Sequence, residues 1–430
     1  MRLHIGIDDT DSGRGGCTTY VGYRITTKLI GRGVRVLDYP RLLRLNPNVP
    51  WKTRGNGAVG LTVEAESLDD ISGVLQDEMD LAFRKYGSTP ACVVITEPLR
   101  TKLQDFFTQA VNRIIDIDHL PRLLEGTQFP YVWVSRKQGL IGALAAASNL
   151  LDYGDHTFEV LAYRQQKFIG TPRNIDPVSV KNMDRVYASI TFNNVDGDRI
   201  LIAPHGKDPV LLGIRGEDPN KLLEALAMIK SEPREGAMVF KTNQGTDMHY
   251  ATRRLKEVRL GDSISLQLRV LEYPVISLGG HVFLTLTDGE NKIKAAFYWE
   301  TGEVRKAASL LMPGDMVTVF GGVKVSVYPT INVEKLLINK LERIYVHENP
   351  LCPKCFSTSE SIGKNKGYRC RRCKTLVNGG KIIRIKNRSL TPGLYLPPLR
   401  YFRHLMKPLK RYGKEKQGYH FTTDPFKQLL

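Results

Sequence analysis

The sequence predicts a multidomain α+β protein: an N-terminal α/β region, a ferredoxin-like α+β region, an OB-fold β-barrel, and a C-terminal zinc ribbon with a basic tail. Three observations carry this reading. Helical and strand patterns alternate through residues 1–250, short β runs with hairpin turns take over near Val258, and two Cys-x-x-Cys pairs stand near the C-terminus. A chain of 430 residues admits roughly two to four domains. Its apolar content of 42% and charged content of 25% suit sizeable cores.

At the front, Leu3-His4-Ile5-Gly6-Ile7 reads as a strand running into Asp8, Asp9 and Asp11. Carboxylates this close repel one another unless a cation sits among them, and hard oxygen ligands suit Mg²⁺. Gly13, Gly15 and Gly16 follow, and glycines let backbone amides approach an anion closely. A helix opening at Thr18 and Thr19 adds unsatisfied N–H groups and a positive dipole end. Metal plus phosphate cradle is the equipment of phosphoryl transfer. The bland alternative is an Asx-rich turn with Thr18 as a plain N-cap. Helical spacing continues over 18–30 and stops at Gly31 and Gly33, and a strand at 34–37 completes a β-turn-α-β unit. A loop over 45–57 carries Lys52 and Arg54; strands follow at 60–65 and 91–96, with a helix at 71–86 between them.

The second region offers strands at 131–134, 158–163, 187–192 and 238–242, and helices at 140–151 and 220–230. That order is compatible with a split βαβ, ferredoxin-like unit. Over 257–343 the pattern is five short strands with one helix, at 304–311, before the fourth. This is the order of an OB barrel, which offers a face to single-stranded nucleic acid.

Cys352 and Cys355 are followed, after 14 intervening residues, by Cys370 and Cys373. The spacing predicts a closed, structural Zn²⁺ site rather than disulfides, because the chain looks cytosolic. Of the other cysteines, Cys92 falls in an apolar run and reads as core; Cys17 is a candidate nucleophile with no histidine partner identifiable from sequence. Arg369, Arg371 and Arg372 turn cations outward beside the second pair. From 351 to 430 there are 19 Lys/Arg against 3 acids, nearly the whole of the chain's net charge of +18. Such an end binds a polyanion, most simply nucleic acid. Within the tail, Arg400, Arg403 and Lys407 alternate with Tyr, Phe and Leu, a mixture suited to phosphates and exposed bases. No apolar run is long enough to cross a membrane and no secretory leader is expected, so the expectation is a cytoplasmic protein with no membrane partner.

With these motifs assembled, the chain resembles the archaeal tRNA(Ile) 2-agmatinylcytidine synthetase (TiaS) family. The likeness runs through residues 6–19, 45–58 and 242–249, the barrel, the ribbon, and the Pro-Pro-Leu-Arg-Tyr-Phe-Arg-His-Leu-Met-Lys-Pro segment from Pro397 to Pro408. It implies an ATP-dependent ligase that replaces the 2-oxo group of the wobble cytidine of isoleucine tRNA (CAU anticodon) by agmatine, so that AUA is decoded. ATP, Mg²⁺ and Zn²⁺ are the implied cofactors; the tRNA and agmatine are the implied partners, with no obligate protein partner. By this resemblance residues 1–130 form a kinase-like domain acting on cytidine and on its own Thr18. Asp8, Asp9 and Asp11 would hold Mg²⁺, while Gly13, Gly15, Gly16, Thr19, Lys52 and Arg54 would grip ATP. The remaining domains run 131–250 (ferredoxin-like, agmatine side), 257–343 (OB), 346–380 (ribbon) and 381–430 (tail). Agmatine is a dication and needs carboxylates: Asp247 is the first candidate, beside Thr242 and Asn243, then Glu217 and Asp176. His249 and His205 read as general bases or as core histidines. Two other classes compete, a non-catalytic single-stranded nucleic-acid binding protein and a metal-dependent nuclease.

Overall fold

The computed structural model describes residues 1–325 and 328–417. Contacts divide the chain into two compact units, one of residues 1–266, 320–334 and the chain from Pro397, the other of residues 267–319 and 335–396.

The first unit opens with β1 (Arg2–Asp8), α1 (Thr18–Gly31), β2 (Arg35–Val36), β3 (Arg41–Arg44), β4 (Gly57–Glu64), α2 (Asp69–Tyr86) and β5 (Ala91–Thr96). Next come α3 (Glu97–Lys102), α4 (Gln104–Asn112), α5 (Leu120–Leu123), β6 (Tyr131–Val134) and α6 (Lys137–Ala147). Its second half holds β7 (Thr157–Arg164), α7 (Pro177–Val186), β8 (Thr191–Phe192), a small hairpin β9 (Val195–Asp196) and β10 (Arg199–Ile200), β11 (Val210–Gly216), α8 (Pro219–Ala227) and β12 (Arg234–Thr242).

Both halves share one sheet, in the order β6-β5-β1-β4-β3-β12-β7-β11-β8, with β2 beside β4. Its described pairs are antiparallel except β3–β12, which is parallel through Arg41–Lys241 and Leu42–Thr242. The α/β front suggested by the sequence therefore becomes an antiparallel arrangement. Apolar alternation locates a strand but does not say which way its neighbour runs. Alternation does set the faces: Leu3, Ile5 and Ile7 of β1 enter the core beneath α1 and α2, while Gly6 and Asp8 face α6. On that side Gly6 and Gly60 admit the helix; an added Cβ would stand 1.8 Å from Ala143 O and 2.6 Å from Ala146 O respectively.

At the β3–β12 junction Arg41 and Lys241, both fully buried, meet Asp38 and Asp152 at 2.8–3.2 Å. Against the effect of burial, Arg41 and Lys241 hold the Asp152 carboxyl far below the usual carboxylate range.

Two elements that the sequence groups with the second region, β6 and α6, lie on the first: β6 pairs with β5, and α6 covers β1 and β4. The suggested strand over 187–192 shrinks to β8: α7, with Asp176 as N-cap and Pro177 in its first turn, runs to Val186, and Tyr187 O then accepts from the Ile190 and Thr191 N–H groups at 3.0 and 2.8 Å in a turn. In the second half the sheet order is β12-β7-β11-β8, with α7 and α8 sharing one core.

Beyond β13 (Ala251–Thr252), the strands are β14 (Ser263–Val270), β15 (Val275–Ile276), β16 (Val282–Thr287), β17 (Lys292–Phe297), β18 (Met316–Val325) and β19 (Pro329–Lys340), with α9 (Glu303–Ala308) before β18. The order β14-β18-β19-β17-β16, with β14 also pairing β16, closes a five-stranded barrel. In the second unit Ile344–Glu348 pairs with Ile382–Lys386, and the four cysteines lie between them in sequence. No helix among the described residues is long and apolar enough to cross a membrane.

Candidate active site

β1 ends at Asp8, and Asp9 adopts a left-handed φ of 57°, its N–H donating to Asp8 Oδ1 at 2.7 Å. This turn parts the carboxylates. Asp8 faces α6, where a Cβ on Gly142 would lie 1.7 Å from Asp8 Oδ2, so only glycine leaves room. Asp9 Oδ2 accepts from Thr89 Oγ1. Asp11 goes the other way, accepting from Thr53 Oγ1 at 2.9 Å and lying 3.3 Å from Arg54 Nε. The oxygens of the three aspartates that the sequence suggests for magnesium do not converge within 4.8 Å of one another. Asp8 and Asp9 line one cavity with Lys52 and Gln138, whereas Asp11 lines another with Thr18 and Thr19. Among the described residues the four cysteines are the one group of three or more ligand atoms lying within 4.8 Å of one another. Burial pushes the Asp8 and Asp9 carboxyls up, helped at Asp8 by Asp9. A cation beside them would favour their ionised forms.

The glycine turn is a tight one: Ser12 and Gly15 exchange backbone hydrogen bonds of 2.8 and 3.1 Å, and Gly15 and Gly16 have φ of 132° and 85°. Gly13 is exposed with open space around it. Gly16 O accepts from Arg54 Nη1 at 3.0 Å. Thr18 opens α1, buried, its Oγ1 accepting from Thr10 Oγ1 at 3.2 Å. Cys17 is the N-cap and makes no side-chain cap bond, so the first amides of α1 lack a side-chain partner there. Burial, then Asp208, push the Cys17 thiol up, which argues against a thiolate nucleophile. Cys92 is core, as its apolar context suggests.

The Asp11 cavity holds about 240 Å³ and brings Glu159, Asp208, Arg44, Arg215 and His404 to Thr18 and Thr19. Glu159 pairs with Arg215 at 3.0 Å; Asp208 lies 3.1 Å from Arg173 and 3.5 Å from Arg54. His404 Nδ1 accepts from Arg215 Nη2 at 2.9 Å, and Arg44, burial and Arg215 together hold this imidazole neutral, well below the usual histidine range. Sequence reasoning missed these five residues. They come from β3, β7, β11, a loop and the tail, and no local motif links them.

The residues suggested for agmatine are engaged elsewhere and line neither cavity. Asp176 caps α7, accepting from Val178 and Ser179 N–H at 3.0 and 3.2 Å. Glu217 takes Arg411 Nε at 2.5 Å and Lys416 Nζ at 3.0 Å. Asp247, at φ 64°, accepts from Lys407 N–H at 2.8 Å. Asn243 bridges to the backbone of Arg44 at 2.8 and 2.9 Å, and Thr242 Oγ1 accepts from Gln244 N–H at 3.2 Å. Asp176 is taken up by a helix start, Glu217 by tail cations and Asp247 by a tail backbone N–H. His249 is fully buried, its ring tilted by 34° against that of Tyr250, and lies 3.6 Å from Glu334; His205 is exposed, 3.1 Å from Arg199.

Nor is the described part of the tail a free basic arm. Arg400 meets Asp196 at 2.6 Å, Arg403 meets Glu334 at 2.8 Å, Lys407 meets Glu415 at 2.8 Å, and the buried Arg411 meets Asp155 at 2.8 Å. Residues 418–430 of the suggested tail lie outside the described residues. In the ribbon, Cys352–Cys373 and Cys355–Cys370 Sγ distances are 3.5 and 3.4 Å, close to the edge of about 3.8 Å implied by four Zn–S bonds of about 2.3 Å. The two knuckles match: Phe356 and Lys374 have φ of 55° and 61°, and their N–H groups return to Cys352 O and Cys370 O at 2.9 and 3.2 Å. Four sulfurs leave no open position, so the site is structural in kind. Arg369, Arg371 and Arg372 are exposed beside it.

Comparison with known proteins agrees along the chain. Family profiles match as the TiaS TCKD domain over residues 4–74, the TiaS FLD domain over 137–249 and the TiaS C-terminal zinc ribbon domain over 349–390. The isoleucine-tRNA 2-agmatinylcytidine synthetase TiaS of Staphylothermus marinus is 39% identical, covering 98% of this chain and 96% of its own. That of Archaeoglobus fulgidus is 38% identical over 96% and 99%. A crystal structure of apo TiaS superposes with a TM-score of 0.85 at 36% identity, covering 98% of this chain and all 100% of its own. One of TiaS in complex with its isoleucine tRNA, AMPCPP and agmatine gives 0.80 at 34%, over 98% and 100%. Identity of this order over nearly the whole length shows that the chain belongs to the TiaS family of isoleucine-tRNA 2-agmatinylcytidine synthetases.

Proposed function

We propose that this protein uses ATP to join agmatine to the wobble cytidine of isoleucine tRNA with a CAU anticodon, giving 2-agmatinylcytidine. One observation carries the reading. Thr18, Thr19 and Asp11 share a cavity with the buried carboxylates Glu159 and Asp208, in a chain matching such synthetases from end to end. In that cavity the acids suit a small dication and the helix start suits a phosphoryl group. Glu159 and Asp208 replace Asp247, Glu217 and Asp176 as the agmatine carboxylates.

In this reading Asp8 and Asp9 hold Mg²⁺ with the nucleotide phosphates, a partition usual for an ion that keeps one or two carboxylates; when bound it supplies charge neutralisation at the phosphoryl group. Gly13, Gly15, Gly16 and Lys52 flank the ATP phosphates. Arg54 orients Asp11, and Thr18 accepts a phosphoryl group. Phosphorylation of the cytosine O2 turns a poor leaving group into a good one. The agmatine amine then forms the N–C2 bond, the C2–O bond breaks, and phosphate departs with the former carbonyl oxygen. Residues 1–130 act as the kinase-like domain, 131–250 as a ferredoxin-like domain on the agmatine side, and 257–343 as an OB fold. A zinc ribbon (346–380) and the tail (381–430) serve RNA. The strand orders β12-β7-β11-β8 and β14-β18-β19-β17-β16 support the two fold names.

The test is the mass of the wobble nucleoside after incubation of the tRNA with ATP, agmatine and protein. Gain of agmatine with loss of the 2-oxo oxygen is expected. An unmodified nucleoside with intact ATP overturns the proposal, as does shortened RNA, which would indicate a nuclease.

A further inference from the structure

A third opening in the first unit shares Lys52 and Arg54 with the two cavities above but takes neither ATP nor agmatine in that chemistry. It holds about 410 Å³, and five cationic side chains line it, Arg44, Lys52, Arg54, Lys324 and Arg403, with no carboxylate among its lining residues. Two of these are matched from outside the opening: Arg54 by Asp11 at 3.3 Å and Arg403 by Glu334 at 2.8 Å. The side chains of Arg44, Lys52 and Lys324 have no ion-pair or hydrogen-bond partner among the described residues. The Arg44 guanidinium lies against Gly55 and Gly57, where an added Cβ would come within 2.7 and 2.9 Å of Nη1. Its buried Nε has no acceptor.

Burial and Arg403 lower the Lys52 ammonium below its ordinary value, and burial, Arg403 and Lys52 lower that of Lys324. Like charges gathered in a partly desolvated place are unfavourable until an anion comes between them.

We propose that this opening is a phosphate site whose occupant is a backbone phosphodiester of the RNA substrate, next to the nucleotide that reacts. The inference rests on the function proposed above. Lys52 also lines the Asp8–Asp9 cavity, and Arg44 and Arg54 also line the Thr18 cavity, so a phosphate here adjoins both. A nucleotide triphosphate carries Mg²⁺ and calls for carboxylates; an opening walled by cations alone suits a singly charged diester. Phosphate contacts of this kind fix register without reading sequence. Lys324, contributed by β18, is then a positioning residue for the wobble nucleotide.

The test uses the full chain with Lys324→Ala and Lys324→Arg, measuring tRNA affinity across a salt series and ATP affinity in parallel. Loss of one phosphate contact should weaken tRNA binding about five- to eightfold at 0.1 M salt. It should also make the slope of log K against log salt shallower by about 0.7–0.9. Lys324→Arg should restore both, and ATP affinity should not move. If Lys324→Ala loses ATP affinity with an unchanged salt slope, the occupant is a nucleotide and the proposal is overturned. If neither affinity changes, the opening takes no phosphate and it is overturned as well. The wild-type nucleoside-mass experiment, run alongside, separates the two claims: product from the wild type with normal binding by Lys324→Ala refutes the clamp alone, whereas no product from the wild type refutes the function.

Discussion

Two glycines let α6 lie on β1, and they predict different failures. Alanine at Gly142 places its Cβ 1.7 Å from Asp8 Oδ2, whereas alanine at Gly6 places it 1.8 Å from Ala143 O and 2.7 Å from Ala147 N. In a helix interior, alanine gains about 1 kcal/mol over glycine, and overpacking costs about 1–3 kcal/mol. For Gly142→Ala the net loss is about 0–2 kcal/mol, since a carboxylate can swing aside. Asp8 is then displaced, and ATP turnover should fall about 100-fold or more, the scale of losing a preorganised charge contact. At Gly6 the obstacles are backbone atoms and no rotamer relieves them, so the helix must leave the sheet. A cost of about 3 kcal/mol or more is expected, lowering the melting temperature by about 6–12 °C. Thermal melting paired with ATP turnover reads both effects, with Gly154→Ala, which meets nothing within 4 Å, as the neutral control. Normal turnover in Gly142→Ala would refute the reasoning, because Asp8 would be neither confined by α6 nor needed.

Other outcomes follow from the same geometry. Burial raises the Asp9 carboxyl, so its ionised form opposes folding once pH climbs past the ordinary carboxylate range; Asp9→Asn should melt higher than wild type in metal-free neutral buffer and gain less from Mg²⁺, and identical melting curves would remove Asp9 from a cation site. Glu159→Gln and Asp208→Asn should each raise the KM for agmatine about tenfold or more. Glu217→Gln and Asp247→Asn should leave that KM alone and loosen the tail toward protease; the reverse pattern restores the sequence-based assignment. His404 is depressed by Arg44, burial and Arg215, so the stability it contributes is present at neutral pH and lost as pH falls below about 6.5. Acidification from pH 7.5 to 5 should accordingly lower the melting temperature of wild type more than that of His404→Gln. Purified protein should carry about one zinc per chain, and Cys370→Ser should lose it; a zinc-free wild type with an ordered ribbon contradicts the four-sulfur site.

Local signals proved legible. The bounds of β5 and β6 coincide with the apolar runs at 91–96 and 131–134, and the spacing of Cys352, Cys355, Cys370 and Cys373 gives a converged ligand set. What sequence hid was partnership. Asp8, Asp9 and Asp11 look like one cluster, yet a single left-handed residue at Asp9 sends them to different cavities. Asp247 and Glu217 look available until Lys407 and Arg411, more than 150 positions away, take them up. Glu159 and Asp208 carry no motif at all, because their importance comes from strand order. A basic tail reads as an arm reaching outward; Asp196, Glu334 and Asp155 turn its described part into a strap.

The parallel seam between β3 and β12 has a consequence for how this enzyme can be divided. Severing the chain near position 137 would expose two raw strand edges, part Asp38 from Lys241 and part Asp152 from Arg41 and Arg100, so that each buried cluster loses part of its neutralising charge. Each fragment is then weakened, although family profiles recognise each separately. A hinge across that seam would have to part these buried pairs, which weighs against it as a way of opening the cleft to its substrates.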